Sequence, residues 1–363
     1  MKLNALREDL YQAVQVTQYS SNTKGMMPIL SGVKLEGKKD RLSLYATDLE
    51  SYTQTTCAAN ITEEGDCVVS LKVFLDFLRD VKEDKVNLQV VDNEMIVEGE
   101  NTLFRIYTMP AEDFPASPVA DNPVIEDLEG SIFISAVQKV SKAASKDEKR
   151  PTLMGIFLEV GKEELRMVST DSYRLAIKKL SNGYKAVEEG QFIIPSNALV
   201  NLTKIAGKEG KMNMLRDENG GQVRFDVGNS NHTIRLIEGK FPKYSQFIPE
   251  VTEKTVVVEK NELLGALRRV SIFSGTIKLS MEKGAVTLSG ESKEIGEGKE
   301  KIEADYDGEE MEIAFNNRFL EDGISCIDGE KVVIGLTEPL KPGIIKEKDK
   351  EDFTYVIMPI RLK

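Results

Sequence analysis

The sequence has few of the residues on which many functional sites depend. Among its 363 residues there is no Trp, one His (His232) and three Cys (Cys57, Cys67 and Cys326). Because His is the usual side chain that titrates near neutral pH, a single His argues against a His-based catalytic centre and against a His-rich metal cluster. Cysteines that are odd in number and form no CxxC pair are typical of reduced thiols, not of a disulfide framework or a zinc site. We therefore expect no catalytic residues, no metal and no cofactor.

The sequence also lacks the segments that direct a chain out of the cytoplasm. Its first residues, MKLNALREDLYQAVQ, carry charges where a signal peptide has an unbroken apolar core. No apolar run approaches the roughly 18 residues that a membrane-spanning helix needs. Apolar residues make up 40% of the chain and charged residues 30%, an ordinary balance for a globular protein. The expected location is the cytoplasm.

Positive charge is in deficit, since 48 Lys and Arg stand against 60 Asp and Glu, for a net charge of −12. A nucleic-acid partner is compatible with this balance only if basic side chains are segregated on one surface. Lys139, Lys142 and Lys146 have the i, i+3, i+7 spacing of one helix face, and Lys72 and Arg79 have i, i+7 spacing. Taken alone, each stripe is more typical of an ordinary solvated helix surface. Their recurrence beside acidic strand segments favours basic helices and acidic sheets.

The chain repeats one pattern three times. Residues 26–52 are answered by residues 149–175, and a fainter third copy covers residues 276–292. Each copy has two runs of alternating apolar and polar residues around a turn, which predicts a β-hairpin. A helical stretch precedes each hairpin, and a strand leading into a second helix follows it. The sequence therefore predicts an α+β fold of three tandem domains, each with two helices packed on antiparallel sheet. The predicted domains are residues 1–120, 127–244 and 245–363.

The repeated pair Thr47-Asp48 and Thr170-Asp171 could be mistaken for paired catalytic carboxylates. The aspartates recur because the strand recurs, and the third copy has Gly290-Glu291 instead. No GxxxxGK[ST] or GxGxxG phosphate-binding loop accompanies them. A carboxylate-dependent enzyme would need acids that converge in one cleft. We therefore favour a non-enzymatic protein and a structural role for His232.

Six strings carry a resemblance to a known family: MPILSG, RPTLMGIFLE, TDSYRLA, GKFPKY, EIAFNNRF and YVIMPIRL. In this order and at these spacings the chain resembles the bacterial DNA polymerase III beta subunits, the replication sliding clamps, from Met1 to Lys363. The resemblance implies three clamp domains and a head-to-tail homodimeric ring whose helices line a hole for duplex DNA. It also implies partners: the DNA polymerase III catalytic subunit, the clamp loader, and other polymerases and repair proteins that bind through short apolar motifs. Lys and Arg facing phosphates would bind DNA without reading its sequence.

The resemblance also implies three sets of site residues. A cleft for partner peptides maps onto Leu153, Thr170, Ser172, Tyr173, Arg174, Leu175, Pro242, Phe247, Asn316, Phe319, Leu340, Val356, Met358, Pro359, Ile360 and Arg361. DNA-facing positions are Lys24, Lys72, Arg79 and Arg150, to which helical spacing adds Lys139, Lys142 and Lys146. The subunit contact maps onto Phe104, Ile106, Ile272 and Phe273.

Other roles stay open for these residues. Within the cleft set, Arg174 and Asn316 are expected to orient the peptide backbone, whereas Leu175, Val356 and Met358 could equally be core residues of their strands. The chain departs from the family pattern at Gln246, at Ser172-Tyr173 and in a shortened loop after Gly275. A monomeric three-domain scaffold that binds peptides therefore remains an alternative.

Overall fold

The computed structural model of the chain describes residues 1–21, 27–99, 102–206 and 210–361. Lys24, one of the predicted DNA-facing residues, lies outside the described residues. The elements follow the threefold repeat of the sequence, and each copy contributes its own helices and strands.

Within the described residues, the first copy has two helices and nine strands. The helices are α1 (Arg7–Thr17) and α2 (Leu71–Asp80). The strands are β1 (Lys2–Leu6), β2 (Gly32–Lys38), β3 (Arg41–Thr47), β4 (Ser51–Ala58), β5 (Asn60–Glu63), β6 (Gly65–Ser70), β7 (Lys85–Val91), β8 (Glu94–Glu98) and β9 (Leu103–Met109).

The second copy repeats this order of elements. Its helices are α3 (Gly130–Val140) and α4 (Ser196–Ala206). Its strands are β10 (Asn122–Glu129), β11 (Gly155–Val160), β12 (Leu165–Thr170), β13 (Arg174–Leu180), β14 (Lys185–Ala186), β15 (Gly190–Pro195), β16 (Lys211–Arg216), β17 (Gln222–Val227) and β18 (Ser230–Arg235).

The third copy has α5 (Lys260–Val270) and α6 (Asn317–Ser325). Its strands are β19 (Lys254–Glu259), β20 (Thr276–Glu282), β21 (Ala285–Ser292), β22 (Gly296–Glu303), β23 (Met311–Asn316), β24 (Lys331–Leu336), β25 (Gly343–Glu347) and β26 (Phe353–Ile357).

The strands form antiparallel sheets in two compact units. The first unit comprises Met1–Phe133, Gly183–Glu189 and Asn197–Leu236. It contains a sheet in the order β14-β10-β16-β17-β18-β4-β3-β2-β6-β9-β8-β7-β1-β5. The second unit comprises Ile134–Asn182, Gly190–Ser196 and Ile237–Lys363. It contains the sheets β15-β11-β12-β13-β26-β25-β24-β19 and β22-β21-β20-β23.

The sequence repeat is also a repeat of backbone register. In the first copy Lys34 pairs with Tyr45 across the β2–β3 hairpin, and in the second Phe157 pairs with Val168 across β11–β12. The helices show the expected apolar faces. In α2 the buried side chains are Leu71, Phe74 and Leu78, at i, i+3 and i+7.

The prediction for the lysine stripe of the second copy is wrong. Helix α3 ends at Val140, and a short 3₁₀ turn (Ser141–Ala143) follows it. Lys139 therefore stands in the last helical turn and Lys142 in the 3₁₀ turn, while Lys146 follows both. The i, i+3, i+7 spacing does not place the three lysines on one face, because the helix that the spacing requires stops after the first of them.

Candidate partner-binding cleft

The floor of the candidate cleft is the paired strands β13 and β26, in which Leu175 lies opposite Val356. Both side chains are buried in an apolar cluster with Phe157, Ile177 and Ile344. Alternation along each strand explains the burial, because every second side chain points to the same face of the sheet. Leu175 and Val356 are thus core residues of the second unit as well as predicted cleft residues.

Four other predicted cleft residues carry large apolar side chains that remain in contact with solvent. Tyr173 is 60% exposed, Phe247 50%, Leu340 60% and Met358 41%. Exposed apolar side chains that are scattered singly over a surface need no functional explanation. These four, however, all belong to one predicted site. All four lie on the second unit. Their accessible apolar surface is suited to bind the apolar anchors of a short peptide.

The segment after β26 is held on both sides by backbone hydrogen bonds. The Met358 N–H donates to the Tyr173 carbonyl at 2.9 Å, and the Ile360 N–H donates to the Ala314 carbonyl at 2.7 Å. Pro359 lies between the two bonds. These contacts fix Met358 beside Tyr173, so two predicted cleft residues from different copies lie side by side.

The loop between β12 and β13 is built by the Thr-Asp pair of the second copy. The Thr170 hydroxyl donates to the Arg174 carbonyl at 2.7 Å and accepts the Ser172 N–H at 3.1 Å. Asp171 Oδ1 accepts the N–H groups of Tyr173 and Arg174 at 2.9 and 3.0 Å. Ser172 has a φ of 80°, in the left-handed region that favours glycine. This loop presents Tyr173 at the cleft.

The first copy forms the same loop between β3 and β4. The Thr47 hydroxyl donates to the Ser51 carbonyl at 2.8 Å and accepts the Leu49 N–H at 3.0 Å. Asp48 Oδ1 accepts the Ser51 N–H at 2.6 Å, and Leu49 has a φ of 74°. The aspartates recur because each closes a turn around a left-handed residue. Each aspartate accepts backbone N–H groups of its own loop, which gives each a structural role there.

Arg174 is held on several sides by groups of its own unit. Its Nε donates to Asp171 at 3.0 Å, and its Nη1 donates to Asp322 at 2.5 Å and to the Tyr355 hydroxyl at 3.4 Å. The guanidinium carbon lies 4.3 Å from the centre of the Phe319 ring. Burial alone lowers the pKa of Arg174, but Tyr355, Asp322 and Asp171 raise it by more, so the side chain stays charged.

The role expected for Arg174 changes with this geometry. Its Nε and Nη1 are engaged within the protein, so the structure favours a role in orienting the Phe319 ring, and its Nη2 makes no hydrogen bond among the described residues. The Phe319 ring in turn stacks on Tyr173, with centroids 6.5 Å apart and planes 27° from parallel. Asn316 is engaged as well, since its Oδ1 accepts the N–H groups of Arg318 and Phe319 and caps α6.

Sequence reasoning missed several residues that shape this surface. Phe241 stacks on Phe157 with ring centroids 4.8 Å apart, and Tyr244 and Ile248 pack on the same cluster. Strand alternation could have identified Ile177, two residues after Leu175. Nothing in the sequence around Phe241 marks it as a cover for the cluster beneath.

Two of the predicted DNA-facing lysines have partners inside the second unit. Lys139 is 7% exposed, its Nζ lies 2.6 Å from Asp328, and Asp328 keeps a lowered pKa although burial raises it. Lys142 Nζ donates to the Ser325 hydroxyl at 2.6 Å. The prediction that Lys139 faces duplex DNA is therefore wrong. The Lys142 ammonium is held against α6 by its hydrogen bond to Ser325.

The other predicted basic positions differ in their surroundings. Lys72 and Lys146 are exposed. Arg79 lies on α2 with ion pairs to Asp76 and Asp80 at 3.0 and 3.1 Å. Arg150 pairs with Asp147 at 2.9 Å and donates to the Ser172 hydroxyl at 2.9 Å. Arg150 therefore contacts the loop that presents Tyr173.

The predicted subunit-contact residues also differ in exposure. Ile272 is 68% exposed and Phe104 48%, whereas Ile106 is 8% exposed and belongs to the core of the first unit. Phe104 contacts Phe77 of α2 edge to face, with ring centroids 4.9 Å apart. The Phe273 ring packs closely on the backbone of Gly298 in β22. A Cβ atom at position 298 would lie 2.5 Å from that ring, closer than a side-chain contact allows.

The described residues provide neither a metal cluster nor a membrane-spanning helix. No three or more His, Cys, Asp or Glu side chains among them are grouped so as to hold a metal ion. None of the helices within those ranges combines the length and apolar character needed to cross a membrane.

Three domain models of one family match consecutive parts of the chain. The N-terminal domain of the DNA polymerase III beta subunit matches residues 1–118, the central domain residues 127–243 and the C-terminal domain residues 245–361. The chain belongs to the DNA polymerase III beta-subunit family. The prediction of three tandem α+β domains of the clamp type is thereby confirmed.

Individual members of the family match along their full lengths. The beta sliding clamp of Streptomyces coelicolor is 28% identical over 375 residues, covering 100% of both chains. The crystal structure of the DNA polymerase III beta subunit of Thermotoga maritima has a TM-score of 0.93 and 29% identity, with 100% of both chains covered. A Pseudomonas aeruginosa sliding clamp bound to griselimycin has a TM-score of 0.94 and 27% identity, again over 100% of both chains.

Proposed function

We propose that the protein is a DNA sliding clamp, a non-catalytic cytoplasmic ring that encircles duplex DNA and tethers the replicative polymerase to it. Membership of the beta-subunit family, with all three domains matched, supports this role. Topology holds such a ring on DNA, so it needs no contact to base edges. The observation that carries the proposal is a joint between successive copies, in which a strand of one copy pairs with a strand of the next. The chain makes this joint twice and leaves the third one open.

The two joints made within the chain have the same form. β18 pairs with β4, where Thr233 lies opposite Tyr52, and β26 pairs with β13, where Val356 lies opposite Leu175. In each joint the last strand of one copy extends the hairpin sheet of the copy before it.

The third joint would take β9 of the first copy and β22 of the third. Among the described strands, β22 has β21 on one side and no strand on the other, and residues 103–107 of β9 pair only with β8. A second copy of the chain, placed head to tail, would supply the missing strand at both edges. A head-to-tail interface of this kind makes a closed ring when its rotation allows it. Ile272, Phe104 and Phe273 are the apolar side chains that we assign to it.

The inner surface of the ring is assigned to the helices and the peptide site to the second unit. We assign Lys72, Arg79 and Lys146 to the DNA-facing surface, where Lys and Arg would bind phosphates through counterion release. The exposed residues Tyr173, Phe247, Leu340 and Met358 are assigned to the cleft for the polymerase, the clamp loader and other partners.

The solution mass tests the ring most simply. Light scattering should give about twice the 40.5 kDa of one chain. A monomeric peptide-binding scaffold would instead give 40.5 kDa while still binding a polymerase-derived peptide. Replacing the exposed Ile272 by Asp should yield monomers that keep their peptide affinity. A variant that stays dimeric would refute the assignment of that contact.

A further inference from the structure

We propose that Lys139 and Lys178 of the second copy, paired with Asp328 and Asp352 of the third, are positioning residues for the peptide cleft. The inference rests on the proposed function, since it concerns the cleft assigned there to partner peptides. It goes further, because it gives two lysines outside the cleft a role in partner binding. We call these two contacts the joint ion pairs.

Both lysines are buried, which is rare for this side chain unless it is paired. Lys139 is 7% exposed and Lys178 is 8% exposed. Lys139 Nζ lies 2.6 Å from Asp328 Oδ2, and Lys178 Nζ donates to Asp352 Oδ2. The Lys139 ammonium also lies 5.5 Å from the centre of the Phe353 ring. Each ammonium is therefore held at a defined place between the two copies.

The joint ion pairs belong to one group of charges. Burial raises the pKa of Asp328, but Lys139 lowers it by more, and Lys178 and Lys350 add to the lowering. Lys350 pairs in turn with Glu347 of β25 at 2.6 Å. The Asp328 carboxylate therefore stays charged among lysines of both copies.

The charges at this joint are divided between the copies in one direction. Among the described residues, three ion pairs join the second copy to the third, and they are Lys139 with Asp328, Arg174 with Asp322, and Lys178 with Asp352. In each pair the cation belongs to the second copy and the anion to the third. The surface that receives the third copy is thus positive, and the surface that docks on it is negative.

The joint ion pairs hold two elements of the third copy at the ends that lie away from the cleft. Asp352 directly precedes β26, and the same strand places Val356 in the cleft floor near its other end. Asp328 follows α6, whose first turn carries Phe319. Each element therefore has one end at a buried lysine and the other end at predicted cleft residues.

The second copy also holds α6 at its C-terminal turn. Lys142 Nζ donates to the Ser325 hydroxyl at 2.6 Å, and Cys326 Sγ donates to the Lys139 carbonyl at 3.4 Å. Cations near the C-terminal end of a helix interact favourably with its dipole. Together with Arg174, which bonds to the same helix, these contacts hold α6 along its length.

The joint between the first and second copies shows which positions are equivalent. There the Thr56 N–H donates to the Asn229 carbonyl at 3.2 Å, as the Lys179 N–H donates to the Asp352 carbonyl at 2.7 Å. The residues of the two bonds are separated by the spacing of the sequence repeat. Asn229 is therefore the equivalent of Asp352 and has no charge.

Neutral hydrogen bonds replace the joint ion pairs in that first joint. Thr55, the equivalent of Lys178, accepts the Ser230 hydroxyl at 2.7 Å. Arg235 and Glu50 do form an ion pair across it at 3.8 Å, but both side chains are more than half exposed and the cation belongs to the later copy. Buried ion pairs are therefore a feature of the joint that forms the cleft.

The expected effect of the joint ion pairs is on geometry more than on stability. A buried ion pair contributes little net stability, because the loss of hydration offsets the attraction. It does fix the relative positions of its two partners, whereas apolar contact is non-directional. Cleft residues held in place before a peptide arrives lose less entropy when it binds. Removing the pairs should therefore weaken peptide binding more than it changes unfolding.

Paired neutral variants test this difference. Lys178→Met with Asp352→Asn removes one pair without leaving its partner charged, and Lys139→Met with Asp328→Asn removes the other. Calorimetric titration with a polymerase-derived peptide should show affinity weakened about threefold to fivefold in each double variant and about tenfold when they are combined. The urea midpoint of unfolding should stay close to that of the wild type.

Two controls separate positioning from general damage. Lys178→Arg keeps the cation and should bind the peptide within about twofold of wild type. Thr55→Val with Ser230→Ala removes the equivalent neutral bond from the first joint, and affinity should again stay within about twofold. Hydrogen exchange at the Met358 and Ile360 amides gives an independent readout. It should become faster in the paired neutral variants and not in the controls.

The outcomes separate this role from the proposed function. Paired neutral variants that stay folded and bind the peptide with wild-type affinity would overturn the positioning role. An equal loss of affinity in the Thr55 and Ser230 control would overturn it as well, because the effect would then not be specific to the joint at the cleft. A wild-type protein that binds no polymerase-derived peptide would instead overturn the peptide site of the proposed function.

Discussion

The ion pair between Arg174 and Asp322 offers a sharp test of how the cleft wall is held in place. Asp322 Oδ2 lies 2.5 Å from Arg174 Nη1, and the Asp322 side chain is 37% exposed. We expect Asp322→Asn to lower the free energy of unfolding and also to weaken peptide binding. Both effects would come from Arg174, because it connects this carboxylate with the Phe319 ring.

The expected size follows from the contacts. A hydrogen bond to a charged group contributes about 1.5–3 kcal/mol, and partial exposure of Asp322 reduces this to about 1 kcal/mol. Asp171 still accepts from Arg174 Nε at 3.0 Å, so the guanidinium is not left without a carboxylate. Looser packing of Phe319 should weaken peptide affinity by about threefold to tenfold, or about 0.7–1.4 kcal/mol.

Urea denaturation and calorimetric titration with a polymerase-derived peptide measure the two effects. Glu321→Gln is the matched control, since the neighbouring Glu321 pairs with the exposed Arg268 at 2.8 Å, away from Phe319. The control should bind peptide like wild type. If Asp322→Asn instead bound the peptide more tightly at unchanged stability, Arg174 would be a direct peptide ligand released from its carboxylate, and the orienting role would be refuted.

Five further substitutions have defined outcomes. Leu49→Gly, at a φ of 74°, should raise the urea-unfolding free energy by about 0.5–1 kcal/mol, whereas Ser172→Gly, at a φ of 80°, should gain less because it also removes the hydroxyl that accepts from Arg150; a loss of stability in the Leu49 variant would contradict the left-handed strain. Burial lowers the pKa of His232 to about 4 from 6.5. The folding stability that the neutral imidazole contributes is therefore complete above pH 6.5 and is lost as the pH falls toward 4. About 2–3 kcal/mol should disappear between pH 7 and pH 4.5, and His232→Gln should flatten that part of the profile; an unchanged slope would assign the loss to other groups. Met358→Ala, at a side chain 41% exposed, should weaken peptide binding by about 1 kcal/mol with unchanged unfolding, and wild-type affinity would exclude Met358 from the site. Leu175→Ala is the contrasting case, because removing this buried side chain should cost about 2–5 kcal/mol of stability.

Local patterns were enough to predict most of the fold. Alternation and turn residues identified the hairpins. The number of residues that separates Thr47-Asp48 from Thr170-Asp171 also separates the paired residues of β2–β3 from their equivalents in β11–β12. Burial in strands and helices follows such periodicity because neighbours on one face share one environment. The resemblance supplied the cleft residues, which periodicity alone would have assigned to strands.

Long-range partners explain where the sequence was insufficient. The burial of Lys139 depends on Asp328, which is 189 residues away, and the role of Arg174 depends on Asp322, 148 residues away. Helical spacing describes only one element and contains no information about what packs against it. The end of α3 at Val140 was missed for a related reason, since Lys142 and Lys146 continue the polar pattern beyond the helix.

The lysines on exposed positions should contribute to DNA loading in a way that salt reveals. Replacing Lys72 and Lys146 by Glu should weaken binding to DNA and reduce its salt dependence, whereas Lys139→Met should act on stability, because its charge is paired with Asp328. Equal loss of DNA binding in the Lys139 variant, without loss of stability, would return Lys139 to the DNA-facing surface.

Whether the protein stays on DNA through topology or through affinity is the central question, and one experiment decides it. The protein is loaded onto a closed circular duplex with its clamp loader. A high-salt wash then removes protein that is held only by electrostatic contacts to phosphates, and a restriction enzyme cuts the circle once. The account predicts that the protein stays on the intact circle and leaves within minutes of linearisation, and that blocking both DNA ends prevents the loss. Retention on linear DNA with open ends, or loss from the uncut circle at high salt, would contradict a ring that encircles its substrate.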